Sequence, residues 1–150
     1  MTDRDGQLIY RIAGSQRIAS VDANGALSVS TVNAVPPGAS VQASSSGGAQ
    51  ANNSSLSGAA AKTTYIAGFA VTGAGATGAS VITVTVTGVA TTMNFSMAIP
   101  AGAAVAVTPL VVNFATPVPA SAVNTAVVVN VPSFGAGNTN AASSAWGFQL

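Results

Sequence analysis

The residues that invite a chemical reading are few. One is the run Gly73-Ala-Gly75-Ala-Thr-Gly78, which matches the G-x-G-x-x-G pattern of a dinucleotide-binding turn. Its glycines would let backbone N–H groups approach a pyrophosphate, provided that a helix N-terminus follows and an acidic residue lies about 20 positions on. Neither condition is met. A strand-like run, Ser80–Thr87, follows the motif, and nothing acidic exists after Asp22. The motif therefore reads as a hairpin loop. General acid–base work needs a titratable group at the reacting atoms. From position 63 to 150 there is no Asp, Glu, His, Lys, Arg or Cys, and Tyr65 is the one ionisable side chain. A Ser-His-Asp arrangement cannot be assembled from this set. Asp3, Asp5 and Asp22 are too few and too dispersed for a metal site. The expectation is a protein that is not an enzyme and uses no cofactor.

Two further groups bear on binding. Trp146 and Phe148, near the C-terminus, are candidates for an oligomer contact, because large aromatic side chains dominate cores and interfaces alike. A sugar-stacking platform is the less favoured reading of the same pair. Arg4, Arg11 and Arg17, with Tyr10 among them, are candidates for contact with acidic groups on a partner, since they are nearly all the cations the chain has. Asn52-Asn-Ser54, Asn53-Ser-Ser55 and Asn94-Phe-Ser96 match the glycosylation acceptor pattern. They carry no weight without a secretory signal, and Met1-Thr-Asp-Arg-Asp-Gly6 does not look like one.

The elements that would position these residues read as short strands. Tyr65–Thr72, Ser80–Thr87, Met93–Ile99, Leu110–Phe114 and Thr125–Val131 are rich in β-formers and are separated by Gly and Pro. Ile82, Val84 and Val86 alternate with Thr83, Thr85 and Thr87, and Met93, Phe95, Met97 and Ile99 alternate with Asn94, Ser96 and Ala98. A period of two places each set on one side of a sheet. Trp146-Gly-Phe-Gln-Leu150 reads as a closing strand. Pro117 and Pro119 end the run at Phe114 and belong to an edge or corner. The fold class expected is all-β: a β-sandwich, jelly-roll-like, over residues 63–150.

Residues 1–62 read as an extended N-terminal arm. Asp22-Ala-Asn-Gly25 between Ile18–Val21 and Ala26–Val29 predicts a hairpin, because Asn-Gly tolerates positive φ. Residues 36–61 are rich in Ser, Ala, Gly, Asn and Gln and read as a linker, with a short helix over Ser55–Lys62.

Charge decides the class of function. Only 5% of the 150 residues are charged, against about a quarter in typical domains. The charged side chains are Asp3, Arg4, Asp5, Arg11, Arg17, Asp22 and Lys62. A net charge of +1 without a basic cluster gives no footprint for nucleic acid. No apolar run reaches the roughly 18 residues that a membrane-crossing helix needs, and no amphipathic helix suggests a membrane surface. Isolated β-domains guard their edges with Lys and keep their net charge well away from zero. This chain does neither, so its strands are expected to be covered by other chains, in an assembly whose contacts are nearly independent of salt.

Thr63-Thr-Tyr-Ile-Ala-Gly-Phe-Ala-Val-Thr-Gly-Ala-Gly-Ala-Thr77, Ser80-Val-Ile-Thr-Val-Thr-Val-Thr-Gly88, Pro117-Val-Pro-Ala-Ser121, Asn124-Thr-Ala-Val-Val-Val129, Val131-Pro-Ser-Phe-Gly-Ala-Gly-Asn-Thr-Asn140 and Gly147-Phe-Gln-Leu150 together resemble small structural proteins of tailed bacteriophages. The resemblance implies a capsid decoration (cement) protein: a homotrimer on the outside of the virion, assembled in the host bacterial cytoplasm, with an N-terminal arm that grips the major capsid protein. A head fibre, tail or baseplate subunit is the alternative within the virion. A carbohydrate-binding adhesin module using Trp146 and the Asn-rich loop is the alternative outside it.

Overall fold

The computed structural model describes residues 38–150 and, before them, the backbone of two short strands, β1 (Ser20–Val21) and β2 (Leu27–Ser28). The chain divides into two units, Met1–Val35 and Pro36–Leu150. In the first, β1 and β2 pair antiparallel, with Ser20 opposite Ser28 and Val21 opposite Leu27, where the Asn-Gly signal placed a hairpin.

The second unit is built from β3 (Ala39–Gly47), β4 (Asn52–Leu56), β5 (Thr64–Gly73), β6 (Ser80–Thr87), β7 (Met93–Ile99), β8 (Leu110–Pro119), β9 (Val127–Val131) and β10 (Ala141–Gln149). They form two four-stranded antiparallel sheets, in the orders β3-β10-β5-β8 and β4-β9-β6-β7. The alternation read from the sequence sets which side is inside. Ile82, Val84 and Val86 of β6 are buried, as are Val127, Val129 and Val131 of β9, while Thr83 faces solvent. From the first sheet come Ile66, Phe69, Val71, Ala141 and Ala145, and all of these side chains join one core. Phe69 of β5 meets Phe95 of β7 edge-to-face, with ring centroids 5.1 Å apart, the geometry that the ring quadrupoles favour.

Three expectations are corrected. The Ser/Gly/Asn tract within 36–61 is not a linker: it supplies β3 and β4, each an edge strand, and the second unit begins at Pro36 rather than at residue 63. No helix spans Ser55–Lys62; β4 runs to Leu56, and a turn with Ala61 at φ 58° follows. The loop after β5 is not a hairpin, since β5 and β6 lie in different sheets and the loop crosses between them. Pro117 and Pro119 do lie on an edge strand, but inside β8, near the register break opposite Ile66 and Gly68.

The tract has the composition of a linker because part of the core is polar. Asn52 and Ser54 of β4 point inward. The Ser54 hydroxyl lies 2.7 Å from that of Ser143 in the opposite sheet, and both residues are buried. A buried hydroxyl left unpaired costs about 1–3 kcal/mol. Ser54→Ala and Ser143→Ala are each expected to lose about that much stability in urea unfolding. The double variant should lose clearly less than the sum, by about 1 kcal/mol. Strict additivity would remove the bond from the account of the core.

Candidate functional site

Along β10, residues 142, 144, 146 and 148 point away from the core. Because β10 is an inner strand, they sit in the middle of the outer face of the β3-β10-β5-β8 sheet. Register fixes their neighbours in rows. Ser44 faces Ser144, which faces Ala70; Gln42 faces Trp146, which faces Gly68; Ser40 faces Phe148, which faces Tyr65. Successive rows are about 7 Å apart, two residues along a strand.

Each aromatic has a specific seat. A Cβ on Gly68 would lie 2.6 Å from Cζ2 of Trp146 and 2.8 Å from Cε2, so the indole occupies the space that a side chain at Gly68 would fill. Phe148 stacks on Tyr65, with centroids 5.0 Å apart and planes 12° from parallel. Trp146, Phe148 and Tyr65 are all half-buried. Beside the indole is a groove of about 340 Å³, lined by Gln42, Ala43, Ser44, Ser144, Ala145 and Trp146. Its polar lining is one amide and two hydroxyls, and no ionic side chain contributes.

The two sequence-read contact residues, Trp146 and Phe148, are thus one row apart on one face. Tyr65, Gln42, Ser44 and Ser144 join them there, and strand alternation alone does not reveal those partners. Arg4, Tyr10, Arg11 and Arg17 lie outside the described residues. The Asn-rich loop is elsewhere and is committed to the fold. Asn138 is buried and donates from Nδ2 to the carbonyls of Ala74 (2.6 Å), Gly75 (3.2 Å) and Asn140 (3.4 Å). Trp146 lies six residue steps along the strand from Asn140, about 20 Å. The loop and the indole therefore do not form one site, which corrects the adhesin reading that combined them.

The glycine motif is closed to phosphate for a related reason. The N–H groups of Ala74, Gly75, Ala76 and Thr77 donate to the carbonyls of Asn140, Val105, Pro100 and Ala136 at 2.7–3.1 Å. The donors that would cradle an anion are taken by neighbouring loops. A second hollow, about 580 Å³, lies by Val81, Ala98 and Pro100; Ser80 and Thr108 are its only side-chain hydroxyls.

The remaining feature is the side of the core bounded by β7 and β8. Both are edge strands, one in each sheet. Met93 and Phe95 on β7 and Leu110, Val112 and Phe114 on β8 pack against the core but are only half-buried. Phe114 reaches Phe69 with centroids 6.4 Å apart. Among the described residues no strand pairs with the free side of either edge, and Lys62, the single ionic side chain there, lies on neither strand. Comparison with protein-family models, with curated proteins and with solved structures returns no match to this chain.

Proposed function

We propose that this chain is a non-enzymatic structural protein of a tailed-phage virion: a capsid decoration protein that binds the head lattice from outside and stabilises it. In this reading the second unit is a jelly-roll β-sandwich that associates with its own kind, as a homotrimer, and residues 1–35 are the arm that grips the major capsid protein.

The strand order supports the jelly roll. The chain turns once between β6 and β7. It then pairs β5 with β8, β4 with β9 and β3 with β10, a single long antiparallel ribbon. Winding that ribbon brings β10 beside β5 and β9 beside β6. Eight strands in this order are the double-sheet plan found in viral capsid and lectin domains. Fold alone does not give function. The observation that carries the assembly reading is the pair of adjacent open edges, β7 and β8, with five half-buried apolar side chains between them and no charge to repel a neighbour. Unpaired edges of this composition aggregate unless another chain covers them.

The test is binding of the full chain to purified heads of the parent phage. Saturation at hundreds of copies per head is expected. Removing residues 1–35 should abolish head binding while the β-sheet circular dichroism persists. Undiminished binding without the arm would refute its assignment. A handful of copies per particle would point to a fibre or baseplate part instead.

A further inference from the structure

We propose that the groove beside Trp146 is a binding site for a neutral saccharide. This inference rests on the outer face of the β3-β10-β5-β8 sheet and not on the virion reading.

The groove's chemistry selects the ligand class. Trp146 is a partly exposed residue, and Gly68 beneath it leaves room for the ring. Around it stand the Gln42 amide and the Ser44 and Ser144 hydroxyls, all three on exposed residues. A sugar ring has an apolar C–H face and a rim of hydroxyls that both donate and accept. An aromatic plane flanked by an amide and hydroxyls complements both features. A volume of about 340 Å³ lies within the range of small-ligand sites. One row along, the stacked Tyr65–Phe148 pair supplies a second apolar surface about 7 Å away. A ligand of more than one ring can reach both.

The lining also argues against other classes. A phosphate, carboxylate or sulfated sugar would meet no cation among the lining residues. Single-stranded nucleic acid stacks on aromatics too, but it needs a positively charged track along its backbone. Neutral polyols lose nothing in a site without ions.

Trp146 is the only tryptophan in the chain, so its emission reports on this groove alone. The full chain would be titrated with neutral oligomers of glucose, mannose, galactose and N-acetylglucosamine. A saturable emission change with at least one of them is expected, with Kd near the millimolar range typical of about 4 kcal/mol of binding. Gln42→Ala and Ser144→Ala, both at exposed positions, should weaken binding at least about fivefold; Thr83→Ala, on the other sheet's outer face, should not. Trp146→Phe, read by calorimetry, should retain part of the affinity. The proposal is overturned if no oligomer changes the emission at about ten times that concentration. It is equally overturned if the change tracks protein concentration instead of sugar, which would make the face a copy-to-copy contact, or if single-stranded DNA binds as well as any sugar. Failure to bind phage heads would leave every one of these readings intact.

Discussion

Gly147→Ala is expected to cost the domain about 4 kcal/mol or more, a large share of the roughly 5–15 kcal/mol that holds a domain of this size. The residue sits mid-strand in β10, at the point where the ladder with β5 shifts register between Trp146 and Gly147. A bulge of this kind brings the two backbones together. A Cβ there would collide with the Tyr65 carbonyl oxygen, and would lie 2.9 Å from its carbon and 3.2 Å from Cα of Ile66. Every one of these is a backbone atom in a paired strand, so none can rotate away. Relief would require β5 and β10 to separate, in the middle of the sheet that carries Trp146, Phe148 and Tyr65. Gly78→Ala is the control. Nothing lies within 4 Å of a Cβ at Gly78. That change should be neutral or should stabilise by about 0.5 kcal/mol through the unfolded chain. Urea unfolding of the two variants separates a general glycine effect from this one contact; equal midpoints would mean that the strands are not so close.

The strands legible in the sequence were those whose inward side is aliphatic. Ser80–Thr87 and Met93–Ile99 match β6 and β7 residue for residue, because Val, Ile, Met and Phe at every second position leave one solution. β3 and β4 were hidden because a hydrophobic pattern cannot report a polar interior. Asn52, Ser54 and Ser143 are buried and hydrogen-bonded to one another's elements, yet as a string they look like linker. The start of β10 was lost in the same way, since Ala141 to Ala145 offer only small side chains. Pairing across sheets was less accessible still. The loop after β5 looks like a hairpin turn by composition. As β6 leaves for the other sheet, the loop before it is held by backbone hydrogen bonds from Ala74 to Thr77 to two distant loops, β7–β8 and β9–β10. For the site, alternation placed Trp146 and Phe148 on one face. Their seats, Gly68 and Tyr65, follow from a β10–β5 register that spans some 80 positions of chain and leaves no local trace.

Phe114→Lys is expected to convert a self-associating chain into a monomer without unfolding it. Phe114 lies on the open edge strand β8, faces inward, and is half-buried, with its ring 6.4 Å from that of Phe69. A lysine there can lay its methylenes along the same apolar surface and carry its ammonium out past the edge to water. The cost to the isolated subunit is then about 1–2 kcal/mol, mostly lost aromatic packing. In an assembly where a neighbour closes the gap between β7 and β8, the same ammonium has no way out. Lys62, the single other ionic side chain of residues 36–150, shares its sign, so no side-chain carboxylate of that unit can pair with the ammonium. An unpaired charge held at a closed contact costs about 3–5 kcal/mol, a loss of more than about a hundredfold in association. An inward-pointing charge at a sheet edge is also what natural β-proteins use to stay apart. Sedimentation of the full chain should therefore show an oligomer for the parent and a monomer for Phe114→Lys, with superimposable circular dichroism. Thr83→Lys, a charge on the exposed outer face of the other sheet, should leave the oligomer in place. An unchanged oligomer in the Phe114 variant would move the contact to another surface, and a parent chain that stays monomeric at high concentration would end the case for self-assembly through this edge.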